Sequence, residues 1–438
     1  MAFNAVRKRK YPLMEQIVLN QGQQNVMNAL LNGYNVFLTG SAGTGKSVVI
    51  REFTKESKAQ NKNVLVVAPT GIAALNVNGA TIHRTFNVPL HPLVSNPPKS
   101  RSDDVLVNSD ILIIEEISMC RMDLFDYMCK MVNDANKLRE SCGDDPIQLV
   151  VVGDFFQLPP VMRPTERDVL VKHYGRDIRK GYAFQSEWWD LMDFRSFNLT
   201  QVMRQSDELF IRNLDDIKMG KVSAIPFFKN RASKTRTGKM ELCGRNDMVR
   251  TINEAELNKI NSEKRSYKAT IVGDVKDGDK LTEDIIDLKI GARVVILIND
   301  PEGLYCNGSY GTVKSFYPSS RRIEVTLDSG TDVTIEEHTW EIKKFKLTNE
   351  DGHKSVDVEC VGTFTQLPVR LAYAITIHKS QGQTYDSLSV NPYSWEPGQL
   401  YVALSRVRNI EGLYIDGYMS ERYVITSPDV LDFYRRTF

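Results

Sequence analysis

The sequence lacks the features that mark a membrane or secreted protein. No run approaches the roughly 18 consecutive apolar residues of a bilayer-spanning helix. The start, "MAFNAVRKRKYP", carries a basic cluster at Arg7 to Lys10 with no apolar stretch behind it, so it is not a secretory signal. That cluster reads as a nuclear address, a phosphate contact or a solvated tail. Cysteine is sparse and scattered: Cys120, Cys129, Cys142, Cys243, Cys306 and Cys360 form no CxxC pair and have no histidine at zinc-ligand spacing. Free thiols in a reducing compartment are the expectation. A charge of one sign is missing too, with 56 Lys and Arg against 55 Asp and Glu. Any surface for nucleic acid must therefore be local. There is no fixed short repeat and no low-complexity tract.

What is present is length and alternation. The 438 residues suggest two to four domains at about 150 residues each. The runs "NVFLTG", "NVLVVAPT", "ILIIEE" and "IQLVVVGD" are β-branched and lack period-2 alternation, as strands of a parallel sheet buried on both faces do. Helical patterns follow in "KSVVIREFTKES" and "RMDLFDYMCKMVNDANKL", which gives a doubly wound α/β layout. Leu124, Met128 and Met131 are expected to pack on the sheet. "NVPLHPLVSNPPKSRSDD" interrupts this layout as a small subdomain or a loop. A looser α/β pattern resumes near 196. From about 288 to 345, short alternating segments separated by turn residues predict a small β-barrel, after which "VRLAYAITIHKSQG" returns to strand and helix.

"GSAGTGKS", Gly40 to Ser47, follows a predicted strand and opens a predicted helix, as a phosphate-binding loop must. Its glycines let backbone N–H groups face phosphates, Lys46 adds charge and the Ser47 hydroxyl is placed to ligate Mg²⁺. About 70 residues on, "ILIIEEISMC" ends its apolar run at Glu115 and Glu116. This acidic strand is expected beside the phosphate-loop strand, with Glu115 on the metal side and Glu116 as general base. Glu115 is one methylene longer than an aspartate would be, which predicts activity that is kept and reduced. In "VVGDFFQLPPV", Gln157 can sense a γ phosphate by hydrogen bonding and two prolines stiffen the chain beyond it.

Taken with "APTGIAA", "TIHRTF", "LTQVMRQ", "ITIHKSQGQT" and "QLYVALSRVR", these motifs resemble the superfamily-one DNA helicases, and within them the Pif-type family of the RecD-like branch. The resemblance spans about residues 15 to 415, with the motifs in family order. It implies two RecA-like P-loop domains. The first is 1–195 with a wedge insertion at about 84–108; the second is 196–438 with an SH3-like β-barrel insertion at about 286–362. The expected wedge is "PLHPLVSNPPKSRS", which names no separating residue. Residues 119–149 resemble the stretch that sets the family apart, although "ESCGDDP" replaces its usual glycine-rich turn.

Carried over residue by residue, the resemblance implies that ATP is bound by Gln23, which reads adenine, and by Gly43, Thr44, Gly45, Lys46, Ser47 and Gly382. Asn20 stands where Ser or Thr is usual. Mg²⁺ is assigned to Ser47 and Glu115, and catalysis to Glu116, Gln157 and two arginine fingers, Arg204 and Arg406. DNA falls to Pro69, Thr70, His83, Phe156, Thr376, His378 and Lys379, with Phe155 left in the core and His338 at a solvated strand end. The implied activity is ATP- and Mg²⁺-dependent helicase movement, 5′ to 3′ on single-stranded DNA. Expected partners are single-stranded DNA and single-to-double-strand junctions, with G-quadruplexes and RNA–DNA hybrids as further substrates, for a monomer that engages no membrane. The expected setting is bacterial or viral cytoplasm at the nucleoid, or a nucleus or mitochondrion. Two other readings stand beside it: a translocase that unwinds little, and a nucleotide-gated DNA clamp weakened at Glu115.

Overall fold

The four apolar runs form the interior of a six-stranded parallel sheet in a computed structural model that describes residues 18–77, 79–89, 91–94, 104–203, 205, 207–230, 232–233, 239–318, 320–350 and 353–438. Strands β1 (Val36–Gly40), β2 (Val64–Ala68), β3 (Ala80–Thr81), β4 (Ile111–Ile114), β5 (Gln148–Val152) and β6 (Arg195–Leu199) lie in the order β3-β2-β4-β5-β1-β6. Every neighbouring pair is parallel. β1, β2, β4 and β5 are buried along their whole length, as strands covered on both faces must be. Helices α1 (Gln21–Leu31) and α2 (Lys46–Ala59) bring Val26, Leu30, Val49 and Phe53 to one face. On the other face, helix Met122–Cys142 brings Leu124, Met128 and Met131, so these three pack on the sheet as expected.

A second parallel sheet has shorter strands, in the order Ala374–Thr376, Glu241–Cys243, Leu388–Val390, Leu413–Asp416, Ala232–Ser233. Between its second and third strands in sequence runs an antiparallel five-stranded sheet of Asp332–Ile335, Ile323–Leu327, Tyr310–Phe316, Arg293–Ile296 and Val369–Leu371. Alternate burial along Ile323–Leu327 is the barrel-like pattern the sequence predicts. The insertion is wider than 286–362. Arg265–Lys268 pairs with Ile285–Leu288, and Val369–Leu371 closes onto Arg293–Ile296 around one apolar core. A long hairpin, His338–Glu350 against His353–Gln366, joins Thr270–Gly273 in a further three-stranded sheet.

The expected division at 195/196 departs from the packing twice. β6 begins at that point yet pairs with β1, because its five residues continue the first sheet rather than start the second. Helix Pro428–Thr437 returns to the first core, where the Phe433 ring stacks on Phe184 at 4.3 Å and lies 5.6 Å from Phe155. Of the expected wedge, positions 90 and 95–103 lie outside the described residues, as do Arg7 to Lys10. All six cysteines are free. No helix among the described residues is long and apolar enough to cross a membrane.

Candidate active site

At the C-terminal end of β1 the chain turns through the phosphate loop into α2. Gly45, the N-cap of α2, sits at φ 84°, a left-handed conformation that favours glycine, and a Cβ there would displace the Gln23 side-chain amide, 2.4 Å away. The loop opens onto a cavity of about 420 Å³. Gly43, Gly45, Lys46, Ser47, Glu115, Glu116 and Gln157 line it from the first sheet, and Gly382 and Arg406 from the second. The sequence-predicted residues of the nucleotide site therefore meet between two sheets. Thr44 is buried just behind the wall, its Oγ1 donating to the Ser41 carbonyl at 3.0 Å.

β4 does not lie beside β1 as the sequence reading has it, since β5 runs between them. The two glutamates reach the cavity across the end of β5, where Gly153 leaves room. A Cβ at that position would stand 2.9 Å from the Ile117 amide. Glu116 adopts a left-handed backbone at φ 52°, ψ 46°, a strain of about 1–3 kcal/mol for a side-chain-bearing residue. That turn points consecutive carboxylates into the same space.

The electrostatics follow from burial. Burial, with Glu116 beside it, pushes the Glu115 carboxyl up to about 8 against the pull of Lys46. Burial also raises Glu116, opposed by Lys46 and then Arg406. Glu115 Oε1 is buried and has no hydrogen-bond partner. An unpartnered carboxylate oxygen next to a second buried carboxylate is costly unless a cation compensates it. Ser47 opens onto the same cavity, so a hard, oxygen-liganded ion such as Mg²⁺ fits this donor set. Lys46 donates to the carbonyls of Gly40 and Ser41 at 2.7 and 3.2 Å, and burial lowers its pKa despite the pull of Asp154 and Glu116. The two hydrogen bonds keep its side chain over the loop.

Arg406 is 1% exposed and held by its own neighbours, donating to the Val402 carbonyl and to Ser405 Oγ, both at 2.9 Å. The guanidinium faces Glu116 across the cavity closely enough for each to shift the other. Arg204, the second expected finger, lies outside the described residues. Gln23 is not part of the cavity wall. Its Nε2 donates to the Thr44 carbonyl at 3.3 Å and its Oε1 accepts from the Asn20 amide at 3.0 Å, in a capping box with Asn20. It braces the loop from behind.

Four residues that the motifs passed over hold the two sheets together here. Tyr401 OH accepts from the Ala42 amide at 3.1 Å and donates to Asp154 Oδ2 at 3.5 Å. The Met203 amide donates to the Gly43 carbonyl at 2.8 Å. Lys218 Nζ donates to Ser41 Oγ at 2.9 Å. Gly398, at φ 77°, lets the start of helix Gln399–Leu404 touch the carbonyls of Phe156 and Gln157, where a Cβ would come within 2.4 Å. Tyr401 and Met203 lie inside quoted motifs and Gly398 borders one, yet no spacing rule singles out any of the four.

The expected DNA residues divide between two cavities. Pro69, Thr70 and His83 line one of about 620 Å³ on the first α/β part, together with Arg121 and Arg163, two cations the sequence reading did not weigh. Thr70 Oγ1 accepts from the Ala73 amide at 3.3 Å, so it caps its own short helix, Gly71–Asn76. Burial, then Arg121, lowers the pKa of His83, which favours its neutral form. Thr376 and Lys379 line another cavity of about 420 Å³ with Arg250 and Arg370, on the second part. Arg370 is 6% exposed and its Nε has no partner. His378 lies next to that wall, half-buried, without lining it. Phe156 is a correction: it is 5% exposed, packed 4.6 Å from the Tyr434 ring and covered by Lys218 at 4.8 Å, so no base can stack on it. Phe155 is in the core as expected.

The sequence model of PIF1-like helicases matches residues 18–226. Over 97% of its length the chain is 31% identical to the ATP-dependent DNA helicase Pif1 of Bdellovibrio bacteriovorus, covering 93% of that protein. The chain belongs to the PIF1-like helicase family. Among solved structures, Bacteroides sp Pif1 in complex with ADP-AlF4 superposes with a TM-score of 0.82 at 31% identity, covering 96% of this chain and 97% of that one. Bacteroides Pif1 bound to ssDNA, with the same coverage and identity, gives 0.67.

Proposed function

We propose that this chain is an ATP- and Mg²⁺-dependent DNA helicase that moves 5′ to 3′ along single-stranded DNA and opens duplex or folded DNA ahead of it. The observation that carries the reading is the composite cavity, in which Lys46, Ser47 and both glutamates face Arg406 from the other sheet. Hydrolysis then depends on closure between the sheets, and closure moves one DNA-facing cavity relative to the other. Ser47 and Glu115 would hold Mg²⁺, which would supply charge neutralisation at the phosphates. Glu116 takes the proton of the attacking water, Gln157 orients that water and the γ phosphate, and Arg406 stabilises charge that develops on the γ phosphoryl oxygens. Arg204 is proposed as a second cation of the same kind.

Phosphates of the strand are received by Thr70, His83 and Arg121 on one side and by Thr376, Lys379 and Arg370 on the other, acting as a monomer on single strands and junctions. Two RecA-like parts with an SH3-like insertion are the architecture this reading uses. The working compartment is that of the DNA, the nucleoid in a bacterium or the nucleus or mitochondrion in a eukaryote. The test is steady-state ATP hydrolysis with and without single-stranded DNA, for the native chain and Glu115→Asp, beside strand separation on a forked duplex. DNA-stimulated hydrolysis with unwinding supports the helicase. Hydrolysis without unwinding would leave a translocase.

One observation favours a second reading. The carboxyl of Glu115, raised to about 8, holds a proton near neutrality until a cation displaces it. A chain that binds DNA in response to ATP and releases no phosphate, with hydrolysis restored by Glu115→Asp, would be a nucleotide-gated clamp.

A further inference from the structure

Ser41 occupies a position of the phosphate loop that its motif leaves free, yet two lysines from different parts of the molecule converge on it. Lys46 donates to its carbonyl at 3.2 Å, and Lys218, the last residue of helix Glu208–Lys218, donates to its hydroxyl at 2.9 Å. The same hydroxyl donates to Asp215 Oδ1 at 3.3 Å, one turn earlier on that helix. The Lys218 ammonium lies 4.8 Å from the centre of the Phe156 ring and 5.9 Å from that of Tyr401. Burial alone would lower its pKa, but Asp154, Tyr401 and Asp215 outweigh this and raise it. Its charge also reaches Lys46. The main chain is pinned as well, since Thr426 Oγ1 donates to the Lys218 carbonyl at 2.9 Å.

A surface salt bridge does not have this form. One half-buried cation is hydrogen-bonded to a phosphate-loop hydroxyl, faces aromatic rings and lies within the field of two carboxylates, Asp154 and Asp215, one on each side of the junction between the sheets. We propose that Lys218 is a positioning residue for ATP hydrolysis, fixing Ser41 and with it the curvature of the phosphate loop only while the two sheets are apposed. It touches no reacting atom. Opening of the junction withdraws it, so the loop loses its catalytic shape in the open state. The inference rests on the ATPase reading above.

The experiment is DNA-stimulated steady-state hydrolysis by the native chain, Lys218→Met, Lys218→Arg, Ser41→Ala and the Lys218→Met/Ser41→Ala double variant. Binding of a fluorescent ATP analogue and thermal unfolding are followed alongside. A misplaced loop predicts that Lys218→Met and Ser41→Ala each lower kcat about tenfold. Analogue affinity is then nearly unchanged, Lys218→Arg recovers most of kcat, and the double variant is no worse than the poorer single one, because both cut one interaction. Ser41→Ala with native kcat, or additive losses in the double variant, overturns the proposal. Should Lys218→Met fail to fold, Ser41→Ala and Lys218→Arg decide the matter by the same criteria. A native chain without DNA-stimulated hydrolysis overturns the ATPase reading, and this inference with it. A stimulated native chain beside an unaffected Ser41→Ala overturns this inference alone.

Discussion

The two parallel sheets contribute to the cavity in different ways. The first sheet carries its site at the ends of strands buried over four or five residues, β1, β4 and β5, so Lys46, Ser47, Glu115 and Glu116 are mounted on strand ends fixed by packing on both faces. The second has strands of two to four residues and delivers Arg406 from just past the end of a helix and Gly382 from a loop, with Lys218 at the end of another helix bracing Ser41 outside the cavity wall. On the proposed reading, the first half holds the nucleotide, and the second completes the chemistry when it closes. A rigid holder and a movable completer are what a motor needs if hydrolysis is to report on domain position.

Removing the completer should separate binding from chemistry. Arg406→Ala is expected to lower DNA-stimulated kcat about a thousandfold, with nucleotide affinity, read by a fluorescent analogue, within a few-fold of native. Affinity lost in proportion to kcat would break the contrast, by showing that Arg406 holds the nucleotide as the first sheet does. Glu116→Gln tests the other side. It keeps the shape and removes the base, so kcat should fall about a hundredfold while ATP-dependent DNA binding persists. A hydrolysis rate within twofold of native would assign the proton to another group.

The smallest effect is one of stability and pH. Glu115 has its folded-state pKa raised from 4.5 to about 8. A raised pKa means that the folded chain holds the proton more tightly than the unfolded one. The stabilisation is complete below about 4.5 and is lost as pH rises through about 8. Without Mg²⁺, the midpoint of thermal unfolding should fall across that window in the native chain, and fall less in Glu115→Gln. Parallel profiles would show that Glu115 does not titrate there.

The same contrast explains what the sequence disclosed. β1, β2, β4 and β5 are legible because burial on both faces writes an unbroken apolar run, and the phosphate loop because its chemistry tolerates few spellings. β6, "RSFNL", is half-exposed at the sheet edge and carries no such run, so the domain boundary was placed at its first residue. The hairpin His338–Glu350 with His353–Gln366 was hidden by its lysines and glutamates, which suit a solvated strand as well as a loop. Phe156 was misjudged because an aromatic beside a motif looks the same whether it faces solvent or Tyr434, which is 278 positions later in sequence (434 − 156). Lys218 and Tyr401 were invisible for the same reason. Their roles exist only where two distant segments touch.

The return of helix Pro428–Thr437 to the first sheet has a consequence for how the chain is made. Tyr434 OH meets Thr39 Oγ1 at 2.5 Å across a separation of 395 residues, and Phe433 closes the aromatic cluster around Phe37 and Phe155. During synthesis the first sheet and its covering helix Met122–Cys142 emerge well before helix Pro428–Thr437, so Phe433 and Tyr434 join the first core only after the second sheet has been made. A contact of such sequence separation forms late, because the intervening loop must close before the contact can repay it.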